Sequence, residues 1–206
     1  MREYIYYSKT AVTTGNFDTS NLMKAGRMDI TCNVIISVFF ISHAVRQDVK
    51  LHLIFDGPPN NPVHLILEYD KDMPISKKDI AGLIRRMLYK LPKEIGEVRE
   101  VFPGCSIERK GFETLIKELD KDGKNVFLLD ERGKDIREIK IKGDEVFIIG
   151  DQEGFPDDKR KFLKQIDKLS VGPKIYFASQ VVTIINNELD RQTSSKESKI
   201  DESIEL

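Results

Sequence analysis

Cysteine and histidine are scarce in this chain, with two of the first and three of the second in 206 residues. Cys32 and Cys105 cannot build a disulfide framework, and neither lies in a Cys-x-x-Cys pair or beside histidines at zinc-ligand spacing. They read as buried thiols of a reducing compartment, and no metal is expected. Long apolar runs are also missing. The densest, residues 34–45, is broken by Ser37, Ser42 and His43 and falls short of the ~20 residues that cross a bilayer. The N-terminus turns strand-like at its third residue, so a cytoplasmic protein with no membrane partner is the expectation. Net charge is nearly absent, since 33 Lys and Arg face 34 Asp and Glu for a formal −1. Nucleic acid held by bulk electrostatics is thereby disfavoured, and a polyanion would have to meet a local patch. Neither Gly-x-Gly-x-x-Gly nor a P-loop motif occurs, so dinucleotide and nucleotide-phosphate binding have no motif behind them.

What is present points to one α/β domain. Apolar residues make up 40% and charged ones 33%, a composition that buries a core and keeps the chain soluble. Residues 3–7, 49–55 and 63–67 are β-branched or aromatic runs that predict strands, the last two joined by the Pro-rich stretch from Asp56 to Asn60. Dense apolar residues over 28–45 predict a largely buried helix. Ser76 with Asp79 three residues on reads as a helix start, followed at helical spacing by Ile80, Leu83, Ile84, Met87, Leu88 and Leu91. A loop is expected through Pro103 and Gly104, then a helix over Phe112, Leu115, Ile116 and Leu119 that stops at Gly123. The second half reads as strands at 125–129 and 146–149, a helix over 157–166, a strand at 169–171 and a helix marked by Ala178, Val181, Val182, Ile185 and Leu189. Residues 193–206 carry two Lys against four Asp and Glu with no apolar period. They read as a disordered acidic tail on a domain spanning 1–192, whose own charge is then −1 − (−2) = +1.

Strands that run directly into glycine loops are where an open α/β sheet binds ligands, because glycine lets backbone amides and carbonyls come close. Two such junctions occur, at 146–156 and at 169–173. Turn glycines with no ligand would look the same by spacing alone. Together with the following residues the pattern is more specific. Phe127-Leu-Leu-Asp130, Phe147-Ile-Ile-Gly-Asp-Gln-Glu-Gly154 and Leu169-Ser-Val-Gly-Pro173, followed by the helix from Ala178, resemble the three motifs of the SPOUT methyltransferases. Within that superfamily the sequence is similar to the archaeal tRNA (pseudouridine(54)-N(1))-methyltransferase family. The similarity continues in Gly26-Arg-Met-Asp29, in Ser42-His-Ala-Val-Arg46 and in Gly57-Pro-Pro-Asn-Asn-Pro-Val63, and so covers residues 1–192.

The resemblance implies a trefoil-knotted α/β fold with a mostly parallel sheet flanked by helices, working as a homodimer. It implies an S-adenosylmethionine-dependent transfer of methyl to N1 of pseudouridine 54 in the T-loop of tRNA. Cofactor contacts fall by position on Leu129, on Gly150, Asp151 and Gly154, on Leu169, Ser170, Val171, Gly172 and Pro173, and on Val181, which starts the helix wall. Val181 stands where several family members have Cys, and Gln152 where relatives often have His. Arg27 would bind a phosphate or base oxygen, and Asp29 would act as acid, base or orienting group. Read without the family, Asp29 is a first-turn carboxylate favourable to a helix dipole and Arg27 is a surface residue. Methylation of another RNA base such as a ribosomal pseudouridine, and a noncatalytic RNA-binding protein of the same fold, are the alternatives. Tyr6, Tyr7 and Phe17 are candidates to stack a flipped-out base. Arg85, Arg86 and Lys90, and Lys159, Arg160, Lys161 and Lys164, are candidate phosphate contacts, though solvated faces explain each cluster as well. His43, His52 and His64 read as structural.

Overall fold

In the computed structural model the backbone of residues 1–204 and the side chains of residues 1–193 are described. Eight strands form one sheet in the order β4-β5-β3-β2-β1-β7-β6-β8, with β1 at Arg2–Ser8, β2 at Val49–Phe55, β3 at Val63–Glu68, β4 at Arg99–Phe102, β5 at Cys105–Glu108, β6 at Asn125–Asp135, β7 at Glu145–Gly150 and β8 at Asp167–Ser170. The contiguous set β2-β1-β7-β6-β8 is parallel throughout, and β3, β5 and β4 extend it antiparallel. Five helices flank it, α1 at Met28–Phe39, α2 at Ile80–Leu88, α3 at Phe112–Lys121, α4 at Asp157–Leu163 and α5 at Ala178–Ile204. No helix among the described residues is long and apolar enough to cross a membrane.

The period of two along β1 explains the layers. Tyr4 and Tyr6 join the core under α1, α2 and α5, whereas Ile5 and Tyr7 join a second core under α3 and α4. A strand buried on both faces is apolar wherever no polar partner waits for it, which is why β1 reads as an unbroken run from Tyr4 to Tyr7. The long helix α5 is fixed to the sheet by polar contacts. Tyr4 Oη donates to Asn186 Oδ1 at 2.8 Å, Asn186 Nδ2 donates to the Ser37 carbonyl at 3.1 Å, and Arg2 and Arg46 both pair with Asp190.

Several expectations change. The first helix ends at Phe39 rather than at residue 45, because Phe40 turns extended and pairs with Val45 around a short turn closed by Ile41 N to Ala44 O at 3.0 Å. Helix α2 begins at Ile80, not at Ser76. Asp79 occupies the cap position and lies over the first turn so closely that a Cβ at Gly82 would meet its Oδ1 at 1.9 Å. The loop expected around Pro103 and Gly104 is a hairpin of β4 and β5, with Gly104 at φ +69° supplying the left-handed turn. Its strands are four residues each, too short and too polar to announce a period of two. The acidic tail expected at 193–206 falls, beyond Thr193, outside the residues whose side chains are described.

Buried among the strands is a polar row that crosses four of them on the α3 side. Glu3 of β1, His52 of β2, His64 of β3 and Glu108 of β5 touch in sequence at 2.9 Å per contact. Lys124 closes one end on Glu3 at 2.6 Å and Lys110 the other on Glu108 at 3.0 Å. Two neutral imidazoles bring two ring protons to three ring contacts, so the row titrates as a unit rather than as four separate groups. His43, by contrast, is exposed on the turn after α1.

Candidate functional site

The carboxyl ends of β6 and β7 open into a cavity of about 750 Å³. Its apolar wall includes Ile30, Leu128, Leu129, Ile149, Leu163 and Val181, and Gly150 and Gly154 bring bare backbone to it. A smaller chamber of about 100 Å³ adjoins it and shares Leu129, Asp130, Glu131, Ile175, Tyr176 and Val181; Leu169, Ser170, Val171, Gly172 and Lys174 complete its lining. This is the location the topology favours, outside the carboxyl ends of parallel strands.

Local chemistry shapes each loop. After β7, Asp151 accepts Gly154 N on its carbonyl at 3.0 Å and Glu153 N on its Oδ1 at 2.9 Å, making a tight turn that ends with Gly154 at φ +66°. The following Phe155 stacks on Tyr7 and tilts against Phe112, and its ring lies 3.0 Å from where a Cβ on Gly150 would stand. Glycine at 150 is therefore a packing requirement as well as an approach route for a ligand. After β8, Ser170 Oγ accepts Gly172 N at 3.2 Å and donates to the Gly172 carbonyl at 3.0 Å. The Gln180 side chain accepts Phe177 N at 3.0 Å and so caps the start of α5.

Strand β6 meets β8 twice. Leu129 and Lys134 both register on Leu169, so the four residues between them form a loop that leaves the ladder and returns. At Gly133 a Cβ would stand 2.5 to 2.7 Å from the carbonyl carbon, nitrogen and Cα of Leu169. Only a residue without a side chain lets the two backbones approach so closely.

Of the ten positions singled out for the cofactor, nine line one or both chambers. Pro173 lines neither and is exposed. Of the rim, Arg160 and Lys164 are among the candidate phosphate contacts read from the sequence, and spacing does not single out the rest. Ile175 and Phe177 project at the mouth, the latter 77% exposed, and Tyr176, Glu131, Arg160, Lys164 and Lys168 also line the cavity. Lys168 pairs with Asp130 at 2.6 Å, and that hydrogen bond holds the Asp130 carboxyl below the usual carboxylate range. Each of these residues belongs to a polar or mixed stretch with no period of its own, and only the closure of the strand-end loops collects them.

Arg27 and Asp29 sit at the start of α1, next to the cavity residue Ile30. Arg27 Nε and Nη2 donate to the two carboxylate oxygens of Asp29 at 3.0 Å each, a two-pronged pair. The guanidinium beside Asp29 holds its carboxyl below the usual carboxylate range. Asp29 is therefore anionic near neutral pH, which suits an orienting group better than a proton donor. Arg27 is the one non-glycine at positive φ among the described residues, at +60°. Strain of this kind persists only where the surroundings enforce it, and it gathers at functional sites.

Three of the sequence candidates change meaning. Tyr6 and Tyr7 are 1% and 0% exposed and cannot stack a base, and Phe17 packs against the core. Arg86 is taken by Asp79 and lies over the Phe102 ring, while Lys159 reaches Asp158 and Glu113 and Arg160 pairs with Asp157, so these basic runs are partly neutralised. Burial pushes both the Cys32 and Cys105 thiols up to about 12, which removes them as nucleophiles.

Comparison with known proteins agrees with this geometry. Residues 1–194 match the family model described as "Putative SAM-dependent RNA methyltransferase". The tRNA (pseudouridine(54)-N(1))-methyltransferase of Methanococcoides burtonii is 34% identical over 202 residues, covering 95% of this chain and 99% of that protein. The enzyme of the same name from Methanocaldococcus jannaschii is 32% identical over 202 residues, covering 93% and 98%. Among solved structures, Archaeoglobus fulgidus Nep1 bound to S-adenosylhomocysteine superposes with a TM-score of 0.63 at 15% identity, covering 94% of this chain and 99% of that one, a likeness of fold. Full-length identity above 30% and a family model spanning both the Gly26–Asp29 segment and the strand-end loops have one meaning: the chain belongs to the archaeal tRNA (pseudouridine(54)-N(1))-methyltransferase family.

Proposed function

We propose that this protein is a cytoplasmic tRNA methyltransferase that transfers the methyl group of S-adenosylmethionine to N1 of pseudouridine 54. The observation that carries this is the cavity at the ends of β6 and β7, adjoined by the Arg27–Asp29 segment and lined by the same loops that match the family. Its volume of about 750 Å³ lies in the range of small-molecule sites, and its wall is mostly apolar with a few polar groups. Leu129, Gly150, Asp151, Gly154 and Val181 would hold the cofactor in the larger chamber, and Leu169, Ser170, Val171 and Gly172 would do so in the smaller one. When bound, S-adenosylmethionine would supply an electrophilic methyl group to N1, leaving as S-adenosylhomocysteine while the N1 proton passes to solvent.

The chain's own part is positioning. Backbone groups in the strand-end loops bind without bringing charged side chains to the reacting centre, and the apolar wall excludes water. Val181 is 9% exposed and extends that wall with no thiol chemistry. Arg27 binds a phosphate or base oxygen of the RNA, and anionic Asp29 holds and orients the guanidinium. Removing either should lose transfer and leave cofactor binding intact.

We also propose that the chain is a trefoil knot and a homodimer. The double registration of β6 on Leu169 and the contact of Gly133 with that backbone support a chain threaded through the 130–133 loop. Exposed Phe177 and Ile175, together with a groove of about 450 Å³ along Ser37, Tyr176, Ser179, Gln180, Thr183 and Ile184, support pairing through the α1 and α5 face. Sedimentation velocity decides the assembly, and a monomer at micromolar concentration would refute the dimer.

The test of function is incubation with S-adenosylmethionine and either pseudouridylated or unmodified tRNA, followed by nucleoside mass spectrometry. Methyl should appear only in the pseudouridylated T-loop. Equal labelling of the two RNAs, or label elsewhere, would overturn the target assignment.

A further inference from the structure

The cofactor loop and the Arg27 turn lie on different elements, and the end of β1 fills the space between them. There Ser8 Oγ donates to Asp151 Oδ2 at 2.9 Å, and Lys9 N donates to the same oxygen at 3.0 Å. With Glu153 N on its other oxygen, the Asp151 carboxylate clips β1 to the turn after β7, and both side chains are buried. Ser8 Oγ also accepts Ala11 N at 3.1 Å, which sets the turn that carries Thr10. Thr10 Oγ1 donates to the Gly26 carbonyl at 3.1 Å, and the Thr10 carbonyl oxygen would stand 1.7 Å from a Cβ at Gly26. Val12 N reaches the Ala25 carbonyl at 3.3 Å. The 8–12 segment thus presses on the backbone immediately before Arg27, where Gly26 at φ +69° and Arg27 at φ +60° are both left-handed. The Tyr6 hydroxyl lies within the fields of both Asp29 and Asp151, and burial with those two charges raises it, so it stays protonated between them.

We propose that Ser8 and Asp151 are a positioning pair that sets the Arg27 guanidinium relative to the cofactor loop. The proposal rests on Arg27 being the RNA-binding group described above. Ser8→Ala strands Ala11 N and frees the turn, whereas Asp151→Asn replaces an oxygen acceptor by an amide donor that faces a backbone N–H. Either change lets the strained Arg27 backbone relax toward an ordinary conformation.

The full chain is tested as wild type, Ser8→Ala, Thr10→Val, Arg27→Ala, and each of the first two substitutions combined with Arg27→Ala. Calorimetry measures S-adenosylhomocysteine affinity, and single-turnover transfer to pseudouridylated tRNA measures the rate. Ser8→Ala should bind the product cofactor within about threefold of wild type, yet transfer roughly 10- to 100-fold more slowly, the scale of a displacement near 1 Å. Ser8→Ala/Arg27→Ala should be no more than about twofold slower than Arg27→Ala alone, because residues acting through one group are not additive. Multiplicative effects would overturn the proposal, as would a loss of affinity by Ser8→Ala that parallels its loss of rate. Thr10→Val, which removes the hydrogen bond to the Gly26 carbonyl and lies outside the cavity lining, answers the same questions should Ser8→Ala fail to fold. Undiminished transfer by Arg27→Ala would remove the Arg27 assignment and the proposal with it, and that outcome is told apart by the single variant.

Discussion

Replacing Gly133 with alanine tests how the pocket is built. A Cβ there falls 2.5 to 2.7 Å from three backbone atoms of Leu169, while carbon contacts rest near 3.5 Å, a deficit of roughly 1 Å. No rotamer change relieves it, because the obstacle is main chain. That main chain is pinned by its pairing with Leu129 on one side and Lys134 on the other. Overpacking costs about 1 to 3 kcal/mol when side chains can adjust, and a rigid neighbour places this case near the upper figure of about 3 kcal/mol. At roughly 2 to 4 °C per kcal/mol for a domain of this size, the Tm should fall by about 6 to 12 °C. The same displacement spreads the loop containing Asp130 and Glu131 away from residues 169–172, which form the two sides of the smaller chamber. S-adenosylhomocysteine should therefore bind at least about tenfold more weakly, a loss of about 1.4 kcal/mol. Scanning calorimetry gives the first number and isothermal titration the second. Gly111→Ala is the control, since its Cβ meets nothing nearer than 3.7 Å and its φ is ordinary at −84°. A Gly133→Ala protein that melts and binds like that control would refute the close approach of the two strands.

The remaining predictions concern other parts of the molecule. Acid should weaken the fold well before ordinary carboxylates titrate. Burial pushes His64 down from its usual 6.5 to about 4, so the unfolded chain takes up protons before the buried His52–His64 row does and stability falls as pH drops from 6.5 toward 4. Burial alone would raise the Glu3 carboxyl, but His52 and Lys124 overcome it and hold the group at about 2, so its contribution is lost between pH 4.5 and 2. Urea midpoints that stay constant from pH 7 to 5 would contradict this. Asn186→Ala strands the buried Tyr4 hydroxyl and releases the Ser37 carbonyl, and should cost about 2 kcal/mol in urea titrations, against under about 0.5 kcal/mol for exposed Asn187→Ala. Asp29→Ala should lower transfer about 100-fold while calorimetry finds S-adenosylhomocysteine affinity within about threefold. Unchanged turnover would place Asp29 outside the reaction.

Much of the parallel half was legible because both-face burial leaves a plain mark. The centres of β1 and β7 are unbroken apolar runs and β2 is apolar apart from Lys50 and His52, while α3 and α5 carry regular stripes, so their residues have one consistent assignment. The antiparallel edge was not legible. Its hairpin strands β4 and β5 are four residues long, and Arg99 and Glu100 are exposed, so local preference is outweighed by pairing with β3 that only the folded sheet supplies. Helix α1 was overextended because residues 40–45 are as apolar as the helix before them, and apolarity alone does not tell a helix from the hairpin turn at Phe40 and Val45.

By itself, the sequence determined a near-neutral α/β composition and the strand-to-glycine junctions after β7 and β8 as candidate ligand loops, which follow from composition and apolar period, local properties of the chain. The end of β6 and the Arg27–Asp29 segment are singled out only through the resemblance to a known family, since on its own residues that pair reads as a helix start and a surface arginine. Tertiary structure alone decided that His52 and His64, twelve residues apart, meet at 2.9 Å between two glutamates, and that Tyr6 and Tyr7 are sealed in the core. It also decided that Gly133 touches Leu169 and that Ser8 reaches Asp151 across 143 positions. Such contacts depend on strand order and register, and no local pattern encodes which strand will become the neighbour of another.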